Sequence, residues 1–95
     1  MAADRQRWVR YWAVYRDQPT SPDDRPLTVV RRRNSPEQTL DEAYTIHHEW
    51  RPDPSIRENE LGGRVSDPPP IVEIDRATAE RILREVRGVQ GATEL

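Results

Sequence analysis

A shortage of large apolar side chains most constrains what this chain can fold into. Only 18 of its 95 residues are Leu, Ile or Val, and Phe is absent. Content this low approaches that of disordered chains, but such chains also carry a high net charge, whereas the net charge here is only -2. A chain of this length forms at most one domain. We therefore expect a single folded domain with a thin core.

The composition excludes several classes of protein. The chain has no cysteine, which excludes disulfides, thiolate metal sites and cysteine nucleophiles. No apolar run reaches the length of about 18 residues that a membrane-spanning helix needs. Charged residues from Asp4 to Arg7 precede the first hydrophobic stretch, unlike in a secretory signal. These features predict a cytoplasmic protein that has no membrane partner.

The first third of the chain predicts a β-hairpin. Residues Trp8–Arg16 are aromatic and β-branched without a breaker, and Leu27–Arg33 form a second run of this kind. The intervening segment, 17–26, has the proline-rich and acidic composition of a loop. Alternation along the first strand places Val9, Tyr11, Ala13 and Tyr15 on one face.

The middle of the chain fits two interpretations. Apolar spacing from Leu40 to His47 is compatible with a helix, whereas the residues around Ile46 favour a strand. We favour a strand over residues 42–50 and keep the helix as the alternative. A short helical turn is expected from Ser55 to Leu61.

The C-terminal third has the most regular pattern. Residues Ile71–Ile74 predict a strand, and Arg76–Arg87 predict a helix with Asp75 as its N-cap and Gly88 as its left-handed C-terminal residue. The helix carries one apolar stripe, formed by Ala79, Ile82, Leu83 and Val86. Residues 88–95 show no pattern and are expected to form a flexible tail.

These elements predict an α+β fold. We expect one domain over residues 1–87, with a small three- to four-stranded, mainly antiparallel sheet and the C-terminal helix packed on one face. The predicted core consists of Val9, Tyr11, Ala13, Tyr15, Val30, Val72, Ile74, Ile82, Leu83 and Val86.

Arginine and tryptophan side chains of the N-terminal hairpin suggest an interaction surface. The first 33 residues hold eight arginines and four acidic residues. Aromatic rings beside guanidinium groups provide the stacking and phosphate neutralisation that single-stranded nucleic acid requires. Alternatively, the arginine stems cover the tryptophan rings, and the acidic segment 34–75 neutralises the charges. The candidate residues are Trp8, Arg10, Trp12, Arg16, Arg31, Arg32 and Arg33.

The sequence predicts no catalytic residue, no cofactor and no metal site. His47 and His48 are adjacent, and neither strand nor helix geometry lets adjacent side chains converge on one metal ion. Glu73 and Asp75 share a strand face and could form an acid–base pair, but Asp75 is expected to cap a helix.

Several short motifs resemble those of a group of small uncharacterised actinobacterial proteins. The similarity spans most of the chain from Tyr11 to Leu83, while the two histidines and the triple proline depart from it. The resemblance implies a stand-alone α+β domain from a bacterium of high GC content and carries no activity with it. The motifs are YWAVYRD at 11–17, PLTVVRR at 26–32, DEAY at 41–44, EWRPDPSI at 49–56, VEID at 72–75 and AERI at 79–82.

Together, these features predict a non-enzymatic accessory or adaptor protein that acts by macromolecular interaction. A protein partner would be held through a sheet edge or an exposed apolar patch. The alternative is single-stranded nucleic-acid binding through the arginine and tryptophan face of the hairpin. The sequence does not indicate an oligomeric state.

Overall fold

The computed structural model describes residues 7–21, 23–61 and 68–93, which form a small α+β domain. Its sheet is antiparallel throughout, with the strand order β4-β3-β2-β1-β5. Five strands correct the predicted count of three to four. The elements in chain order are β1 (Trp8–Val14), β2 (Thr28–Asn34), β3 (Thr39–Tyr44), β4 (Trp50–Pro52), α1 (Ser55–Glu60), β5 (Ile71–Ile74) and α2 (Arg76–Arg87).

The additional strand comes from the segment that the sequence left ambiguous. The predicted strand over 42–50 is confirmed only at residues 42–44 and 50, and its helical alternative is wrong, because β3 ends at Tyr44 and β4 begins only at Trp50. A tight turn separates them, closed by the Thr45 N–H donating to the Glu49 carbonyl at 2.9 Å. His48 adopts a left-handed φ of 61° in this turn.

The C-terminal helix is confirmed at both ends. Asp75 Oδ1 accepts a hydrogen bond from the Thr78 N–H at 2.8 Å, and Gly88 ends the helix with a φ of 68°. Asp is favoured at helix N-termini because it accepts such a hydrogen bond, and Gly is favoured after helix C-termini because it readily adopts a positive φ. Among the described residues, no helix has the length and apolar character needed to cross a bilayer.

The sheet is covered on both faces, although the sequence predicted a helix on only one. Helix α2 packs on what we call the α2 face, which buries Tyr11, Ala13 and Val29. The opposite α1 face buries Val30 against Ile56 of α1. The adjacent residues Val29 and Val30 therefore both lie in the core, because strand alternation sends them to opposite faces.

The predicted core is largely confirmed, with one error. Val72 is 39% exposed, because β5 is an edge strand and α2 lies over β1 and β2. Predicted residues that are buried are Tyr11, Ala13, Val30, Ile82 and Leu83. Predicted residues that are partly buried against the core are Val9, Tyr15, Ile74 and Val86. Buried residues that the prediction missed are Val14, Val29, Tyr44, Ile56 and Ala79.

The segment after α2, for which the sequence predicts flexibility, has a defined course as far as residue 93. It returns across the α2 face, where Thr93 is 1% exposed and its carbonyl accepts from the Tyr11 hydroxyl at 3.5 Å. Glu80 of α2 accepts hydrogen bonds from the Gly91 N–H and from both the N–H and the hydroxyl of Thr93. Residues 94–95 of the predicted tail lie outside the described residues.

Candidate functional site

The seven residues of the predicted interaction surface do not form one surface. Strand register places Trp8, Arg10, Trp12 and Arg32 on the α1 face. Arg31 and Arg33 lie on the α2 face, because alternate residues of β2 point to opposite sides. Arg16 is exposed beyond the end of β1.

On the α1 face, carboxylates already pair with the arginines. Arg10 Nε lies 3.0 Å from Glu73 of β5, and the Arg10 guanidinium carbon lies 5.9 Å from the Trp8 ring centroid. Arg32 Nε lies 2.7 Å from Asp41, and its Nη1 lies 2.9 Å from Glu60 of α1. The acidic middle of the chain thus neutralises these arginines within the fold.

On the α2 face, two arginines share one carboxylate. Arg31 Nε lies 2.9 Å from Glu42 Oε1, and Arg33 Nε lies 3.0 Å from the same oxygen. The Arg31 guanidinium carbon lies 3.9 Å from the centroid of the Trp50 ring, which is the stacked cation–π arrangement. Arg31 is only 5% exposed, whereas the Arg33 side chain is 36% exposed, so only the Arg31 end of this cluster lies in the core.

The electrostatics of this cluster favour a structural role. Burial raises the pKa of Glu42, but hydrogen bonds from Arg33 and Arg31 outweigh it, so that the pKa lies below its usual value. Burial lowers the pKa of Arg31, opposed by its bond to Glu42. Arg31 Nη1 is buried without a hydrogen-bond partner in the described part of the chain. The charges of this cluster therefore stabilise one another and offer no open phosphate site.

Trp50 joins this cluster to the C-terminal segment. Its Nε1 donates to the Ala92 carbonyl at 2.9 Å, and its ring meets Tyr44 edge-on with centroids 5.1 Å apart. Trp50 thus contacts Arg31, Tyr44 and Ala92 at once. This side of the sheet is closed by side chains and by the returning segment.

A shallow cleft of about 380 Å³ lies at one end of β1, β2 and β3. It contains two residues of the predicted surface, Trp8 and Arg33, together with Arg7. Trp8 is 39% exposed, but Arg33 is bound to Glu42 by two hydrogen bonds. The cleft therefore offers one exposed aromatic ring for stacking, but few unpaired arginines to bind phosphate.

The residues considered for catalysis or metal binding are not brought together. His47 and His48 are exposed in the β3–β4 turn. Glu73 pairs with Arg10, and Asp75 caps α2, where its hydrogen bonds from Thr78 hold the pKa of the carboxyl below its usual value. Within residues 7–21, 23–61 and 68–93, no group of three acidic or histidine side chains could hold a metal ion.

The outer edge of β5 is a feature that the sequence did not reveal. The Tyr15 N–H donates to the Pro70 carbonyl at 2.9 Å, and the same register pairs Ala13 with Val72 and Tyr11 with Ile74. Along an antiparallel ladder, residue pairs that exchange backbone hydrogen bonds alternate with pairs that do not. The amide and carbonyl groups of Val72 and Ile74 therefore face β1.

It follows that the backbone groups of Ile71 and Glu73 point away from the sheet. No described strand lies on this side of β5. The carbonyl of Pro69, two residues before Ile71, accepts a hydrogen bond from the Asn59 side-chain amide at 2.9 Å, which anchors the chain entering the strand. The exposed Val72 lies between the two outward residues. This edge offers two donors and two acceptors around an apolar side chain.

Comparisons of this chain with protein-family models, with curated proteins and with solved structures find no match. The resemblance to small actinobacterial proteins stays a prediction. Any functional conclusion therefore depends on the geometry of the chain itself.

Proposed function

We propose that this protein is a non-enzymatic interaction module that pairs the outer edge of β5 with a strand of another polypeptide. The observation that carries the proposal is the outer edge of β5, where no described strand pairs with the outward backbone groups of Ile71 and Glu73 on either side of the exposed Val72. Unpaired strand edges template the addition of an extended peptide, in which main-chain hydrogen bonds provide the affinity.

The composition of the edge supports this proposal. Soluble proteins usually protect an edge strand with lysine, proline, a bulge or a covering element. The strand Ile71–Ile74 contains no lysine, proline or bulge, and its one charge, Glu73, is paired with Arg10. The edge is therefore compatible with a close apolar contact to a partner strand.

Single-stranded nucleic-acid binding is the alternative, and the exposed Trp8 ring beside Arg10 is the observation in its favour. The arginine pairing argues against it, because phosphates would have to displace carboxylates from Arg10, Arg32 and Arg33. Titrating the tryptophan fluorescence with mixed-sequence single strands at low salt tests this alternative. We expect no change, whereas a saturable change that weakens steeply with salt would favour nucleic acid.

A displayed library of extended peptides tests the proposed function. The protein is immobilised at low density, and enrichment is compared between wild type, Val72→Lys and the control Ile46→Lys. Ile46 is also an exposed apolar residue, but it lies in the β3–β4 turn. We expect wild type and the control to enrich peptides of alternating apolar residues, and Val72→Lys to lose them. Equal enrichment by all three proteins, or none, would refute the proposal.

A further inference from the structure

We infer that the strand received by the β5 edge is the β5 strand of a second copy of this chain, so that two sheets join into one of ten strands. This inference depends on the proposed function and names its partner. It follows from the register that the outward backbone groups permit.

Of the two-fold registers centred on Ile71, Val72 or Glu73, only the one centred on Val72 pairs the outward groups of Ile71 and Glu73 with the outward groups of the same two residues. A two-fold axis normal to the sheet at Val72 places Ile71 opposite the partner's Glu73, and Glu73 opposite the partner's Ile71. Both residues present their N–H and carbonyl outward, so each pair exchanges two hydrogen bonds, giving about four in total. An axis at Ile71 would bring Glu73 against Pro69, which has no N–H.

The side chains agree with the same register. The axis places the two Val72 side chains directly opposite each other in a non-hydrogen-bonded pair, where side chains approach most closely. An axis at Glu73 would instead oppose two like charges, which is destabilising. The inferred register thus covers the apolar side chain that the monomer exposes and keeps the Glu73 carboxylates apart.

The faces of the sheet also remain continuous. Val72 lies opposite Ala13 on the α2 face, while Glu73 contacts Arg10 on the α1 face. A two-fold axis normal to the sheet keeps the α2 faces of both copies on the same side, so the two α2 helices lie on one side of the joined sheet. Helix α2 contacts β1 and β2, whereas α1 contacts β2 and β5, and no described strand pairs with the outer side of β5.

The short strand limits the strength of this dimer. A pairing of four residues on each side buries less area than a standard stable interface. We therefore expect a reversible dimer with a Kd of about 10–100 μM. Such a dimer dissociates on dilution and leaves the edge free for another strand.

Sedimentation equilibrium of the full chain over concentrations below and above that range tests the inference. Wild type and Ile46→Lys should change with concentration from the monomer mass of 11.1 kDa to twice that value. Val72→Lys and Val72→Glu should each raise Kd by about tenfold or more, because like charges then oppose each other. Far-UV circular dichroism checks that each variant is folded.

Mixing the two charged variants gives the decisive comparison. Val72→Lys and Val72→Glu face each other in the inferred register, so an equimolar mixture should dimerise better than either variant alone. A wild type that stays monomeric, a dimer unaffected by the Val72 variants, or a mixture no better than its components would overturn the inference. If wild type stays monomeric but the peptide library is enriched, the proposed function stands and only the second copy is excluded.

Discussion

The two edges of the sheet differ in what they offer to another strand. At β4, the Thr45 N–H donates to the Glu49 carbonyl and the Asp53 N–H donates to the Asp41 carbonyl. Because hydrogen-bonded pairs alternate along the ladder, the backbone groups of Trp50 and Pro52 point away from β3. Pro52 has no N–H, which leaves Trp50 as the only outward donor of β4. At β5, both outward residues are donors and acceptors. A proline thus lies within the β4 edge, whereas the prolines of the β5 side precede the strand, and no described strand covers its outward groups.

The two edge strands also differ in the side-chain contacts that hold them to the rest of the domain. Trp50 on β4 contacts the buried Arg31 and donates a hydrogen bond to Ala92. On β5, Glu73 forms an ion pair with Arg10 in which both side chains are about half exposed. We therefore expect β4 to contribute more to stability than β5, whose outer edge we propose as the site of association.

The largest expected effect tests this division directly. Trp50→Ala removes the ring over Arg31 and the bond to Ala92, and should lower the free energy of unfolding by about 3–5 kcal/mol. Val72→Ala at the other edge should cost less than about 1 kcal/mol, because the side chain is already partly exposed. Urea unfolding of both variants as monomers measures the difference. Similar losses would contradict the division of roles.

The ion pairs of the two regions provide a second test. Glu42→Gln leaves the buried Arg31 guanidinium without its counter-charge and should cost about 2–4 kcal/mol. Glu73→Gln breaks only the exposed pair with Arg10 and should cost less than about 1 kcal/mol. Urea unfolding at neutral pH compares them. A small loss for Glu42→Gln would mean that Arg31 reaches solvent or another partner.

The elements predicted best were those with local signals. The apolar stripe of α2, the Asp75 cap and the Gly88 terminus all lie within a few residues of the feature they determine. The β3–β4 turn lacks such a signal, because His48 occupies a left-handed position that Gly or Asn usually fills. The strand was therefore placed several residues too late.

The seven candidate residues do not share one face of the sheet, and the reasons why the sequence did not show this differ between them. Alternation alone could have separated Arg32 from Arg31 and Arg33, since neighbours on one strand point to opposite faces. Their pairing with Asp41 and Glu42 depends on strand register, which the sequence does not reveal before β3 is located. Val72 looked like a core residue because nothing in its sequence shows that β5 is an edge.

Acid should loosen the C-terminal segment, an effect smaller than those above. Hydrogen bonds from Thr93 hold the pKa of Glu80 below its usual value of 4.5. The pKa of Glu80 is therefore lower in the folded protein than in the unfolded chain. Its contribution to stability is fully present above the unfolded pKa and is lost as the pH falls through the folded pKa.

Glu80→Gln should therefore lower stability at neutral pH by about 1 kcal/mol and flatten the stability profile below pH 4.5. Glu85→Gln, an exposed carboxylate on the same helix, is the matched control. Thermal unfolding across this acidic range gives both profiles. If the two variants show the same stability profile, the hydrogen bonds from residues 91–93 to Glu80 do not contribute to stability.

Amide hydrogen exchange along β5, measured by NMR at low and high protein concentration, tests the open edge most directly. The amides of Val72 and Ile74 face β1 and should be protected at both concentrations. The amides of Ile71 and Glu73 should exchange rapidly in dilute protein and become protected as the concentration rises. Protection of Ile71 and Glu73 in dilute protein, or fast exchange at every concentration, would contradict an open edge that pairs with a second copy.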